Sequence, residues 1–149
     1  HIFRDIEMIS EVIGHLGDRL RRTRLSVAPY GSGDGAARTA LGLYARCDLV
    51  LAMRFHANVC PMGMGRQTLG LDCYPQIANL YAELGQSDRA IDVAHPGFSE
   101  GLVAAGVRAL DNPRSFSGGP AEARQTVSAL RGAFEPHLKA WLERNALTA

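Results

Sequence analysis

Long apolar runs are missing from these 149 residues. No stretch approaches the roughly 18–20 apolar residues that cross a bilayer, and no segment joins a charged start to an apolar centre as a secretory leader does. The expectation is a soluble, cytoplasmic protein without a transmembrane segment. Charge of one sign is missing too: 16 Lys+Arg stand against 15 Asp+Glu, a formal net charge of +1. That excludes the broad basic field selected by nucleic acid or an anionic membrane surface. The densest basic run, Arg19 to Arg24, shares its helix with Asp18 and makes no such field. Cysteine is scarce, and Cys47, Cys60 and Cys73 are odd in number with no Cys-x-x-Cys spacing. They read as buried thiols of a reducing compartment. His56 and Cys60 are one helical turn apart, but no four-ligand set completes a structural zinc site, so no metal is expected. Internal repeats and low-complexity segments are absent, and the one linker-like stretch, residues 111 to 120, is too short to separate two domains.

What is present describes one α/β domain over residues 1–149. With 46% hydrophobic residues, disorder is excluded, and a chain of this size buries about 68–70% of its unfolded surface, enough for a core without staples. Ile6, Ile9, Val12, Ile13, Leu16 and Leu20 recur at helical spacing and predict a helix over residues 5 to 22. Because this pattern starts within a few residues of His1, the chain reads as a piece of a longer protein. Leu25 to Tyr30 predicts a strand, Gly31 to Gly35 a break, and residues 36 to 46 a second helix. Asp48 to Met53 is a nearly continuous apolar run, the pattern of a strand covered on both faces. A short helix over 57–65, a strand at Thr68–Leu71 and a helix from Pro75 to Leu84 follow. Gly85 suits the left-handed end of that last helix. Ala90–Val93 completes at least four strands. A helix near Ser99–Ala109, a Pro/Ser/Gly loop over 112–120 and a final helix to about Asn145 end the chain. Strands alternating with helices at this spacing predict a parallel, Rossmann-like sheet flanked by helices. Ala129, Phe134, Leu138, Trp141 and Leu142 of the final helix form a stripe expected to be mostly core. Any part left exposed would make a homodimer of the isolated segment unsurprising.

In open parallel sheets, ligands bind beyond the carboxyl ends of the strands. Arg54, Phe55 and His56 directly follow the strand at 48–53. A guanidinium grips a carboxylate or phosphate through two parallel hydrogen bonds, and an imidazole two residues on exchanges a proton near neutral pH. Together they suit an anionic substrate that must be protonated. A surface arginine and a helix-capping histidine are the plain alternative.

The succession Asp48-Leu-Val-Leu-Ala-Met-Arg-Phe-His-Ala57, then Gly63, Gly65, Gly70-Leu71, Tyr81-Ala-Glu-Leu-Gly85 and Ile91-Asp-Val93 resembles the polysaccharide pyruvyl transferase family. That family's mark is an apolar strand ending in Arg-x-His-Ala, a small-residue helix, a second strand and a helix closing in Glu-x-Leu-Gly. The likeness covers about residues 40 to 95. It implies transfer of a pyruvyl group from phosphoenolpyruvate to a sugar of a polysaccharide or lipid-linked acceptor, forming a ketal without a cofactor. It also implies a two-domain architecture like that of B-type glycosyltransferases, of which this chain is the C-terminal domain and an N-terminal domain supplies the other wall of the cleft. By resemblance His56 is the catalytic acid and Arg54 the group that neutralises the donor. Where the family commonly has lysine in a Tyr-Asp-Pro-Lys-like segment, this sequence has Asp72-Cys-Tyr-Pro-Gln76. Gln76 brings no charge, so Arg66 or Arg89 is a candidate for compensation.

Tyr74 and Gln76 are carried as substrate-binding positions, Tyr74 as a ring that can stack on a sugar or simply pack; Tyr30 and Tyr81 pose the same choice. Gly31-Ser-Gly-Asp-Gly-Ala36 formally matches a dinucleotide fingerprint, yet Asp48 lies at the start of the next strand, the wrong end for its acid. Gly31 and Gly33 remain candidates for touching a phosphate or nucleotide-linked acceptor, against the plainer role of a surface turn. The rival functions are a sugar-nucleotide glycosyltransferase on the same architecture and a non-catalytic homologue that binds an anionic glycan.

Overall fold

A computed structural model describes residues 2–28, 31–33 and 35–146. The chain divides into two compact units, His1–Ser32 and Gly33–Ala149. In the first, the helix expected over 5–22 is two helices, α1 (Ile2–His15) and α2 (Asp18–Thr23). Gly17 separates them with extended backbone, φ −62° and ψ 151°. Glycine is a poor helix interior, and Asp18 in the first turn favours a fresh start. The strand expected over Leu25–Tyr30 is not formed at Leu25–Ala28, while Pro29 and Tyr30 lie outside the described residues. Leu25 and Val27 instead join Met8, Ile9 and Val12 of α1 around a shallow cavity of about 350 Å³. A strand needs a ladder, and proline cannot donate to one.

The second unit contains α3 (Ala36–Tyr44), β1 (Leu49–Ala52), α4 (Phe55–Gly63), β2 (Gln67–Asp72), α5 (Pro75–Glu83), β3 (Ala90–Asp92), α6 (Phe98–Asp111) and α7 (Pro120–Ala146). The three strands form one parallel sheet in the order β1-β2-β3, with Leu49 opposite Gln67 and Gly70 opposite Ala90. Among the described residues the sheet has three strands, not four or more, because residues 25–28 do not join it. As an edge strand, β1 is not covered on both sides: Val50 and Ala52 are buried while Leu51 stays 48% exposed.

Alternation along the central strand sorts the core into two layers. Leu69 packs with Ala109 of α6 and Phe116, whereas Met62 of α4, Ile77 and Tyr81 of α5 and Ala123 of α7 form the other cluster. Gly70 lies beneath that second cluster. A Cβ there would come within 2.4 Å of the Tyr81 ring and 2.7 Å of Ile77 Cγ2. Gly70→Ala is therefore expected to cost about 1–3 kcal/mol of unfolding free energy in urea titration, the usual range for an overpacked core.

Helices α4 and α5 end alike. Gly65 and Gly85 adopt φ of 80° and 67°, and the next residues, Arg66 and Gln86, donate their N–H groups to the carbonyls of Pro61 and Tyr81 at 2.9 and 2.7 Å. The left-handed terminus expected at Gly85 is thus present.

The Pro/Ser/Gly loop expected after α6 is present and held tightly. Arg89, buried just before β3, donates to Gly118 O at 2.7 Å, Gln67 Oε1 at 2.9 Å and Pro113 O at 3.4 Å. Its guanidinium lies 4.3 Å from the Phe116 ring centre, and that of Arg108 lies 3.8 Å from it. Arg108 also pairs with Asp88 at 3.1 Å, and Gln86 donates to Gly119 O at 2.8 Å. Because Gln67 opens β2 and Arg89 precedes β3, this bracket closes the amino-terminal rim of the sheet.

The stripe on α7 is a correction. Ala123 is buried, but Ala129, Phe134, Leu138, Trp141 and Leu142 are exposed rather than core. At about 1.5 Å per residue a 27-residue helix runs about 40 Å. The six residues of β2 span only about 20 Å, so α7 outruns the sheet that could bury it.

Candidate active site

The carboxyl rim of the sheet is built by the turns that follow the strands. After β1, Arg54 occupies the N-cap of α4 with extended backbone, φ −104° and ψ 143°, and Phe55 and His56 open the helix. After β2, Tyr74 is the N-cap of α5 at φ −144° and ψ 140°, and Pro75 and Gln76 follow. Proline favours this first helical position because its fixed φ suits the helix and its missing N–H would be unpaired there. Neither N-cap residue supplies a side-chain cap. Two helix starts with their positive dipole ends therefore sit on neighbouring parallel strands. The turns touch, with Cys73 Sγ 3.7 Å from Met53 O, and Val93 N donates to Asp72 O at 3.4 Å to tie in the turn after β3.

Arg54, His56, Tyr74 and Gln76 are all exposed at this rim, Tyr74 to 58%. Tyr74 is thus not a packing residue, while Tyr81 is one. The Phe55 and His56 rings meet edge to face with centroids 5.8 Å apart. Arg66 and Arg89 are not placed to replace a lysine at position 76. Arg66 stands just before β2 and Arg89 just before β3, at the opposite rim, with Arg89 committed to carbonyls there. Gly31 belongs to the first unit, which ends at Ser32, and Gly33 opens the second with φ 79°. The dinucleotide fingerprint lacks the strand that must precede it at the described residues 25–28. Cys47, Cys60 and Cys73 are free thiols, half-buried rather than buried.

Sequence reasoning passed over Asn58. It is fully buried, donates from Nδ2 to Ala52 O at 3.0 Å and Arg54 O at 2.9 Å, and accepts at Oδ1 from the Tyr81 hydroxyl at 2.9 Å. The clue was available: an amide four residues after Arg54, on the inward face of a short apolar helix. Burial holds the Tyr81 hydroxyl well above the usual tyrosine range, partly opposed by Arg89, so it stays a donor.

The carboxyl rim of this parallel sheet thus carries a guanidinium, an imidazole and two helix starts without side-chain caps, groups of the kind that can hold small anions. Residues 13–73 match the family model for polysaccharide pyruvyl transferase, a stretch that holds Arg54 and His56. Tyr74 and Gln76 fall just beyond the matched stretch. No curated protein and no solved structure matches the chain. Among the described residues no helix is long and apolar enough to cross a membrane.

Proposed function

We propose that this chain forms one wall of the active site of an enzyme that transfers a pyruvyl group from phosphoenolpyruvate to a sugar of a polysaccharide or lipid-linked acceptor. The observation that carries the reading is the shared placement of Arg54 and His56 at the start of one helix on the carboxyl rim, inside the family-matched stretch. His56 delivers a proton to the methylene carbon of the donor, making it a methyl group and leaving cationic character on the neighbouring carbon. One sugar hydroxyl adds to that carbon, the bond to the phosphate oxygen breaks, and a second hydroxyl closes the ketal. Of the two hydroxyl protons, one leaves with hydrogen phosphate and the other restores the proton that His56 gave to carbon. Arg54 and the helix starts hold the carboxylate or phosphate while the charge moves.

In this reading the three-stranded sheet is the core of a Rossmann-like half of a B-type glycosyltransferase-like architecture, and an N-terminal domain supplies the acceptor side. Gln76 leaves Arg54 as the donor-facing cation of the rim. Incubating the intact protein with labelled phosphoenolpyruvate or with sugar nucleotides tests the assignment. Consumption of the first alone supports it, consumption of the second points to glycosyl transfer, and consumption of neither points to a glycan-binding homologue. Arg54→Lys is expected to raise the donor KM about 10-fold, because an ammonium cannot reproduce the bidentate fork. An unchanged KM would remove Arg54 from donor binding.

A further inference from the structure

The side chain of Asn58 does more than fill the interior. Its Nδ2 reaches two carbonyls on either side of the Met53 corner: Ala52, the last residue of β1, and Arg54, the N-cap of α4. The backbone N–H of Asn58 donates to the same Arg54 carbonyl at 3.1 Å. One residue thereby clamps Arg54 twice and ties it to the strand. The amide must face this way, since a flipped Asn58 would set its oxygen against two carbonyl oxygens.

Tyr81 enforces the choice. Its hydroxyl, 2.9 Å from Asn58 Oδ1, remains a donor and gives that oxygen its partner. Gly70 allows the arrangement, for a Cβ at that position would meet the Tyr81 ring, Ile77 and Asn58 Oδ1 at 2.4, 2.7 and 3.2 Å. Strand β2, helix α5 and helix α4 therefore converge on one amide whose other end grips the strand-to-helix corner.

We infer that Asn58, oriented by Tyr81 across Gly70, is a positioning residue that sets the direction in which Arg54 and His56 leave the rim. The inference rests on the proposed roles of those two groups only for its kinetic consequence; the clamp itself is a matter of geometry. A general acid works only when its proton is aimed, and a misplacement of about 1 Å can cost about 100-fold in rate. Gripping a carboxylate through a flexible guanidinium tolerates more.

The test compares Tyr81→Phe, Asn58→Ala and His56→Ala in the intact protein by steady-state turnover of phosphoenolpyruvate and by NMR of the His56 ring. Tyr81→Phe keeps the ring and removes only the donor, so it serves if Asn58→Ala fails to fold. The expected result for Tyr81→Phe is a cooperatively folded protein with shifted His56 ring resonances and kcat lowered about 10-fold. Its KM should change less than about twofold, and Asn58→Ala should lower kcat about 100-fold. A residue that only stabilises the fold would lower the melting temperature and leave the resonances of the folded protein and its kcat unchanged, and that outcome overturns the inference. Displaced resonances together with full activity of His56→Ala would leave the clamp standing and refute the acid role of His56 instead.

Discussion

On the proposed function, replacing His56 with alanine in the intact protein is expected to lower phosphoenolpyruvate-dependent ketal formation by roughly 10²–10⁴-fold, the usual contribution of a positioned acid. The fold should not register the change. His56 is exposed at the second position of α4, its ring meets that of Phe55 edge to face, and neither core cluster includes it. Substitutions at such sites usually shift stability by no more than about 0.5 kcal/mol. Released phosphate and a denaturant titration read the two quantities separately. A variant turning over at the wild-type rate would take His56 out of the mechanism. A variant that loses activity only because it unfolds would contradict the exposed position of the ring.

The largest loss of stability is expected at the other end of the strands, from Arg89→Met. Methionine retains much of the apolar stem but none of the donors. Gly118 O, Gln67 Oε1 and Pro113 O all lose the guanidinium, and the Phe116 ring loses one of its two cations, the one at 4.3 Å. An acceptor left buried without a partner costs about 1–3 kcal/mol, so the variant should lose roughly 3–5 kcal/mol, read as a lower urea midpoint. Burial already lowers the Arg89 pKa, with Asp88 chief among the groups that oppose it. Deleting a group held against its own desolvation exposes how much its partners depended on it. A drop below about 1 kcal/mol would show that water replaces the guanidinium without penalty.

The part of this fold that was legible in the sequence is the part governed by local signals. The apolar run of β1, Pro75 at the start of α5 and Gly85 at its end all lie where the residue types placed them. The failures come from contacts distant in sequence. Leu25–Ala28 has a strand's composition, but pairing needs a neighbour, and those residues line a cavity against α1 instead. The stripe of α7 repeats like a core face, yet helix length against strand length decides burial, and no window of residues contains that comparison. At the site, Arg54 and His56 could be read from their place after a strand, whereas Asn58 and Tyr81 could not be paired from positions 23 residues apart. The same limit misplaced Arg66 and Arg89: only the topology shows that residues preceding β2 and β3 belong to the rim opposite His56.

The bracket around Phe116 and the turns bearing Arg54 and Tyr74 occupy opposite ends of the same three strands. A chain partitioned this way can drift at one end without renegotiating the other. Phe55, Tyr74 and Gln76 are exposed and outside the Arg89 network, so substitutions can accumulate at those positions while robustness is supplied elsewhere. Gln76→Lys is therefore expected to leave the fold intact, and libraries built on those three positions should yield mostly folded variants.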